Sequence, residues 1–216
     1  MALPTSEWTV ADLLAQFGPI PAARVRHDPP PGAAREQDVL DIERRENRLY
    51  ELIDGVLVEK VMGYYESYIA ALIVRLLGNF AAEHDLGVVA GADGILKLSP
   101  DQVRVPDVSF VAWQRLPGRE LPAEPIPLLV PDLAVEVISK GNTAEEMNRK
   151  LDEYFRAGVR LVWYVYPATR SVQVYSSLRD VRELADDAVL DGGDVLPGFQ
   201  LPLPQLFAAP RQNDLM

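Results

Sequence analysis

The chain has 216 residues, of which 48% are hydrophobic, with a formal net charge of −11 and no cysteine. This length fits one domain with a real core, and the lack of cysteine excludes disulfides, zinc–thiolate centres and cysteine nucleophiles. No apolar run approaches the roughly twenty residues of a membrane helix, and the N-terminus has no signal-peptide pattern, so we expect a cytoplasmic protein without membrane contact. The acidic charge argues against a general nucleic-acid coat protein, which would need a basic footprint.

A helix, a linker and a hairpin are predicted before residue 61. Residues 8–17 place apolar side chains at helical spacing and end at a Gly-Pro pair, which predicts a short amphipathic helix. Proline, alanine and arginine dominate the following loop, so we expect residues 1–37 to be an N-terminal helix and a proline-rich linker. A β-hairpin is predicted over residues 49–60, because Asp54-Gly55 separates two apolar, β-rich runs.

The middle of the chain predicts the longest helix and several strands. Residues 65–83 carry a wide apolar stripe at i, i+3, i+4 and i+7 spacing, made of Tyr65, Tyr68, Ile69, Leu72, Ile73, Leu76, Leu77 and Phe80. Short strands are predicted at 88–90 and 95–98. Longer strands are predicted at 103–111 and 132–138, separated by a proline-rich excursion.

The pattern after residue 140 predicts a further helix and a central strand, as in an α/β protein. Thr143-Ala-Glu-Glu146 fits a capping box and opens a helix that Gly158 ends. Residues 159–166 form a continuous apolar run, typical of a central strand that is covered on both faces. The order of elements predicts a central mixed β-sheet flanked by helices.

Two of the predicted strands each carry one carboxylate in their middle, in an apolar setting. The first is Val103-Arg-Val-Pro-Asp107-Val-Ser-Phe-Val111, and the second is Pro131-Asp-Leu-Ala-Val-Glu136-Val-Ile-Ser139. Apolar strands rarely carry a charge unless it is paired or binds a metal. Because side chains alternate across a strand, Asp107 and Glu136 would converge if the two strands were neighbours with those faces aligned.

Converging carboxylates indicate a divalent-metal site. Two carboxylates a few ångströms apart repel each other, and one takes up a proton unless a cation lies between them. Mg²⁺ or Mn²⁺ suits an all-oxygen site, and such an ion polarises a phosphoryl oxygen and activates a water. The alternative for Asp107 alone is a turn residue after Pro106.

Phosphodiester chemistry also needs a cation near the attacking water. Lys150 is the preferred candidate, one turn before Tyr154 on the predicted helix, and Lys140 is the alternative because it lies four residues past Glu136. Without other information, Lys150 also fits a solvated surface charge. Glu66, near the start of the long helix, is either a third acid of the site or an acid that favours the helix N-terminus.

Five runs of this sequence resemble the Uma2 family (DUF820), in the same order and over roughly residues 38–200. They are Tyr50-Glu-Leu-Ile-Asp-Gly, Met62-Gly-Tyr-Tyr-Glu-Ser67, Val105-Pro-Asp-Val-Ser, Val135-Glu-Val-Ile-Ser139 and Lys150-Leu-Asp-Glu-Tyr-Phe-Arg-Ala-Gly-Val-Arg-Leu-Val-Trp163. That family is similar to the PD-(D/E)xK nuclease superfamily. The resemblance implies an α/β restriction-endonuclease-like core over residues 38–203, with the N-terminal helix and β-hairpin as an extension and residues 204–216 as a tail.

The resemblance also assigns roles to the candidate residues. It places Asp107 on the Pro-Asp acid and Glu136 on the second acid, and Glu66 matches the helix acid of the wider superfamily. The superfamily pattern has a lysine two residues after the second acid, where this chain has Ile138; in the Uma2 family that lysine comes from the following helix, as Lys150.

The resulting hypothesis is a Mg²⁺- or Mn²⁺-dependent endodeoxyribonuclease. Asp107, Glu136 and Glu66 would hold the metal, and Lys150 would position the water. The alternative is a catalytically inactive nuclease-fold protein that binds DNA or a protein partner, which the acidic charge and Ile138 favour. A homodimer is expected, because symmetric dimers are the commonest oligomers and duplex DNA offers two strands. DNA or RNA as substrate, and sequence specificity, stay open.

Overall fold

The computed structural model describes residues 8–185 and 187–208, so the predicted tail beyond residue 208 and the first seven residues lie outside the described part of the chain. The helices are α1 Val10–Phe17, α2 Glu36–Glu46, α3 Tyr64–Glu83, α4 Ala144–Ala157 and α5 Leu203–Phe207. The strands are β1 Tyr50–Ile53, β2 Val56–Glu59, β3 Gly87–Ala90, β4 Leu96–Ser99, β5 Gln102–Arg104, β6 Val108–Ala112, β7 Leu133–Val137, β8 Leu161–Tyr166, β9 Ser171–Tyr175, β10 Val181–Leu184, β11 Val189–Gly192 and β12 Leu196–Pro202.

A six-stranded mixed sheet forms the centre of the protein, in the order β10-β9-β8-β7-β6-β3. Strands β7 and β8 are parallel, and the other neighbours are antiparallel. A four-stranded antiparallel sheet, β2-β1-β5-β4, and the β11-β12 pair complete the strand structure of the described residues. The predicted class, a mixed sheet flanked by helices, is confirmed, and β8 is a central strand as its apolar sequence predicts.

Helices α3 and α4 cover opposite faces of the six-stranded sheet. Val135 of β7 packs in the core that contains α3, whereas its neighbour Ala134 packs in the core that contains α4. Because strand side chains alternate, Glu136 points to the same side as Ala134, toward α4. The α4 helix therefore supplies the side chains that can reach Glu136.

Local sequence accounts for two boundaries near the site. The hairpin turn places Asp54 and Gly55 at φ of 49° and 76°, the left-handed conformation that a tight two-residue hairpin needs. At the start of α4, the Thr143 side chain accepts a hydrogen bond from the Glu146 N–H at 3.1 Å. The Glu146 carboxylate instead pairs with Arg24 at 2.7 Å, so only the threonine half of the predicted capping box forms.

The single strand predicted over residues 103–111 is wrong. The chain leaves the four-stranded sheet after β5 and enters the six-stranded sheet at β6, with Val105, Pro106 and Asp107 as the crossover. Proline has no N–H to offer a strand ladder, so Pro106 interrupts the pairing. Asp107 therefore lies at the junction of the two sheets, immediately before β6, rather than in the middle of a strand.

The N-terminal segment packs against the rest of the fold. Phe17 is buried beside Val25, Ile53, Val56 and Val58 of the hairpin region, and its carbonyl accepts a hydrogen bond from the Thr143 hydroxyl at 2.6 Å. Arg24 contributes a side chain near the start of α4 through its pair with Glu146. Across the residues that the structure describes, none of the helices combines the length and apolar character needed to cross a bilayer.

Candidate active site

Asp107 and Glu136 face each other across two neighbouring strands. The antiparallel register of β6 and β7 pairs Val108 with Val135, and one step further along it brings Asp107 opposite Glu136. The main-chain N–H of Val137 donates to Asp107 Oδ2 at 2.5 Å, which fixes that carboxylate against β7. Asp107 and Glu136 are only 3% and 4% exposed. The structure thus brings together the two acids that the sequence pattern singles out.

A lysine that sequence reasoning missed lies between the two acids. Lys60 Nζ is 2.7 Å from Asp107 Oδ1 and 3.7 Å from Glu136 Oε2, and it also donates to the Val105 carbonyl. Lys60 directly follows β2 and so belongs to the hairpin, which the sequence identifies only as a structural element. The available signal is a charged residue at the end of a run of buried apolar positions.

Lys150 approaches Glu136 from the α4 side. Its Nζ lies 3.0 Å from Glu136 Oε1 and 2.9 Å from Glu51 Oε1. The Tyr154 hydroxyl, one turn further along α4, donates to the same Glu136 oxygen at 2.5 Å. Lys140, the alternative lysine, is exposed in the loop before α4 and lines a neighbouring cavity instead.

A buried ion network that the sequence did not predict supports Lys150. Glu51 of β1 accepts hydrogen bonds from Arg104 Nη1 at 2.7 Å and from the Val105 N–H at 3.1 Å. Arg104, which is 1% exposed, also donates through Nε to Glu153 of α4 at 2.8 Å. The sequence signal for Glu51 was the same as for Asp107, a carboxylate inside an apolar strand.

The surroundings set the charge states of these groups. Burial raises the pKa of Glu136 above its ordinary value, and nearby Asp107 adds to this rise, while Lys150 and Lys60 oppose it. Burial acts in the same direction on Glu51, but attraction by Lys150 and Arg104 outweighs it and holds the pKa of Glu51 below its ordinary value.

Lys150 and Tyr154 both keep their protons. Burial disfavours the ammonium of Lys150, but Glu136 and Glu51 more than compensate and raise the pKa of Lys150. The pKa of Tyr154 lies well above its ordinary value because its phenol is buried and contacts Glu136. The site therefore presents a charged ammonium and a neutral phenol to the same carboxylate.

Glu66 lies on the wall of the same pocket. It is half-buried in the first turn of α3 and lines the pocket together with Asp107 and Glu136. Within residues 8–185 and 187–208, no three or more His, Cys, Asp or Glu side chains are grouped to hold a metal ion. The structure thus brings Asp107 and Glu136 together and leaves Glu66 outside such a cluster.

Two spaces meet at the site. The acid pocket itself leaves a volume of only about 20 Å³. A second cavity of about 530 Å³ adjoins it and shares several wall residues with it, namely Arg24, Val61, Glu66, Ser139 and Asn142. Two exposed cations, Arg48 and Lys140, line this second cavity. Lys140 has no hydrogen-bonding or ion-pair partner in the described part of the chain.

A central mixed sheet with helices on both faces defines this protein as an α/β protein, and two opposed acids beside a helix lysine mark its candidate site. The family model Uma2, described as "Putative restriction endonuclease", matches residues 36–204. The chain belongs to the Uma2 family.

A solved structure shows the same fold. A putative nuclease belonging to DUF820 from Anabaena variabilis, whose crystal structure was determined at 1.96 Å resolution, superimposes with a TM-score of 0.66. The two sequences are 21% identical, and the match covers 74% of this chain and 89% of that chain. No curated protein matches the chain. Family and fold together indicate a restriction-endonuclease-like nuclease.

Proposed function

We propose that this protein is a metal-dependent endonuclease that hydrolyses phosphodiester bonds of DNA. The observation that carries the proposal is the placement of one ammonium nitrogen, Lys60 Nζ, within 4 Å of both Asp107 and Glu136. The position between the two carboxylates therefore accepts positive charge. Asp107 and Glu136 both offer carboxylate oxygens, the ligand type that Mg²⁺ and Mn²⁺ prefer, and Mg²⁺ is commonly bound by one or two carboxylates with several waters.

Asp107 and Glu136 are the proposed metal ligands, and Glu66 is the proposed third acid on the pocket wall. A bound divalent ion would polarise a phosphoryl oxygen and lower the pKa of a bound water. The Val137 N–H holds Asp107 in place, and the Tyr154 hydroxyl orients Glu136. Such outer contacts fix metal ligands in their binding orientation.

Lys150 is the proposed cation for the chemical step. Its ammonium is held by Glu51 and Glu136, so its charge is fixed in place before substrate arrives. A preorganised cation in a pocket that excludes water stabilises charge that develops on a phosphate far better than a solvated one. The helix-borne lysine therefore occupies the role that Ile138 cannot fill two residues after Glu136.

The adjoining cavity is the proposed path of the DNA strand. It shares a wall with the acid pocket, and its exposed cation Lys140 suits a contact with a phosphate, whereas Arg48 in the same wall is already paired with Glu59. With a net charge of −11, the whole protein repels a polyanion. Binding therefore depends on cations next to the site rather than on overall charge.

Plasmid cleavage with Mg²⁺ or Mn²⁺ tests this function. The wild-type protein should nick or linearise the plasmid, and Asp107→Ala and Glu136→Ala should each lose about 100-fold or more in rate. Lys97→Met is the control, because Lys97 lies on β4 outside the pocket, where it pairs with Glu36 of α2. Equal cleavage by wild type and both acid variants would refute the proposal.

The second candidate is a catalytically inactive nuclease-fold protein that binds DNA or a protein partner. Ile138 at the superfamily lysine position favours it, as does the pairing of both acids with lysines of the chain itself. Binding of labelled DNA by gel shift, with no product across many substrates and no Mn²⁺ uptake, would select this function over the nuclease.

Assembly, location and domain limits belong to the same proposal. A cytoplasmic homodimer would place two sites on the two strands of a duplex, and symmetric dimers are the commonest oligomers. Residues 38–203 are the proposed nuclease domain, flanked by 1–37 and 204–216. The mass measured by size-exclusion chromatography with light scattering, with and without duplex DNA, tests the dimer.

A further inference from the structure

Lys60 and Lys150 are held in different ways, although both contact Glu136. Lys150 extends from the middle of α4 and contacts Glu51 and Glu136 at 2.9 and 3.0 Å, and Glu51 is itself fixed by Arg104. Lys60 follows the end of β2, and its carboxylate contacts are the two acids Asp107 and Glu136. Its longer contact, 3.7 Å to Glu136 Oε2, exceeds hydrogen-bonding distance.

The backbone of Lys60 is held more firmly than its side chain. The Lys60 N–H donates to the Leu49 carbonyl at 2.9 Å, which ties the main chain to the start of the hairpin. The side chain has a flexible four-carbon stem and is 10% exposed at the pocket. The Lys60 ammonium can therefore leave the acids by rotation of this stem, giving up its hydrogen bond to the Val105 carbonyl, without any change in the sheet.

The acid pocket is too small for Lys60 and a hydrated divalent ion together. Its free volume of about 20 Å³ corresponds to about one water molecule. Mg²⁺ dehydrates reluctantly and keeps several waters when only one or two carboxylates bind it. An ion at Asp107 and Glu136 therefore requires the ammonium to leave.

We propose that Lys60 is an internal counter-ion that occupies the metal position of Asp107 and Glu136 and competes with the divalent ion for it. This inference rests on the proposed function, because it assumes that the two acids bind metal. Lys60 offsets the repulsion between the acids in the metal-free protein and lowers its apparent affinity for metal. It thereby sets the ion concentration at which the site becomes loaded.

Calorimetric titration with Mn²⁺ tests this competition. Lys60→Met should bind Mn²⁺ about tenfold more tightly than wild type, a change of about 1.4 kcal/mol in binding free energy. Lys97→Met removes the same charge outside the pocket and should bind like wild type, whereas Asp107→Ala should show no binding. Lys60→Gln, which removes the charge but keeps a polar side chain one bond shorter, is a second variant in case Lys60→Met does not fold.

Thermal unfolding supplies a second measurement. Without ion, Lys60→Met should melt below Lys97→Met, because two buried acids lose their counter-ion, and Mn²⁺ should raise its Tm by more than it raises that of wild type. If wild type binds Mn²⁺ and the Lys60 variants bind it no more tightly, the competition is refuted while the metal site stands. If neither wild type nor the Lys60 variants bind Mn²⁺, the metal-dependent function and the competition both fail.

Discussion

Glu51 Oε1 lies 2.9 Å from Lys150 Nζ, although the two residues come from the hairpin and from α4. The other oxygen of Glu51 accepts from Arg104 at 2.7 Å, so the carboxylate is fixed at both ends. Glu51 thereby connects the four-stranded sheet to the helix that covers the six-stranded sheet. The position of the Lys150 ammonium depends on this connection.

Replacing Glu51 should therefore slow the reaction without touching substrate. Glu51→Gln keeps the size of the side chain but removes the charge that holds Lys150, and loss of such a supporting contact typically costs about 10–100-fold in activity. We expect this loss in kcat, with the KM for DNA unchanged. Steady-state plasmid nicking by Glu51→Gln and by the control Lys97→Met measures this loss. If the two variants have equal activity, Glu51 does not position Lys150 for the reaction.

Removing the Lys150 ammonium should affect the chemical step itself. Lys150→Met removes the fixed charge beside Glu136, and we expect the single-turnover rate at saturating DNA to fall about 100-fold or more. DNA binding measured by fluorescence anisotropy should change little. If Lys150→Met reacts at a rate close to that of wild type, the Lys150 ammonium has no role in the chemical step.

Lys140 should act on binding instead. It is exposed beside the adjoining cavity, so we expect Lys140→Met to weaken DNA binding uniformly across sequences and to leave the saturated rate unchanged. Loss of one phosphate contact lowers the slope of log K against log salt by about 1. Anisotropy titrations over a range of salt measure that slope, and an unchanged slope would exclude a phosphate contact.

Arg104 should matter for stability. It is 1% exposed between Glu51 and Glu153, and breaking a buried pair by removing one partner costs about 3–5 kcal/mol. Urea denaturation of Arg104→Met should show a loss of that size. Arg156→Met is the matched control, because Arg156 is 78% exposed in its pair with Asp152 and should change the unfolding free energy by less than about 0.5 kcal/mol.

The pKa of Glu51 predicts a stability change at acidic pH. Its pKa is lower in the folded protein than its ordinary value of 4.5, so the folded state binds fewer protons there than the unfolded state. This contribution is fully present above pH 4.5 and is lost as pH falls below it. We expect the difference in unfolding free energy between wild type and Glu51→Gln to shrink between about pH 5 and pH 3.

The contribution of Glu136 to the unfolding free energy should depend on pH in the opposite direction to that of Glu51. Its pKa is raised on folding, so its contribution is fully present below pH 4.5 and is lost as pH rises through its folded pKa. Glu51 and Glu136 share Lys150, and the charge of Glu51 helps to raise the pKa of Glu136, so Glu51→Gln alone also changes the titration of Glu136. Measuring the Glu51→Gln difference in a Glu136→Gln background removes this contribution. A difference in that background that stays constant over the acidic range would show that Glu51 keeps its ordinary pKa in the folded protein.

Local sequence patterns predicted most of the elements because they act over a few residues. The Asp54-Gly55 turn, the apolar stripe of α3, and Thr143 and Gly158 at the ends of α4 each specify their structure through near neighbours. The strand predicted over 103–111 was wrong because the effect of Pro106 depended on which sheet lay on either side of it.

The sequence by itself determined that Asp107 and Glu136 are carboxylates in apolar settings and that a helix carrying Lys150 follows them. Only the tertiary structure decided that Lys150 rather than Lys140 meets Glu136, and that Lys60 lies between the acids. The reason is the separation along the chain: Glu51 and Arg104 are 53 positions apart, and Lys60 and Val105 are 45 apart. Contacts of that range arise from docking the hairpin sheet against the central sheet, which no local periodicity encodes.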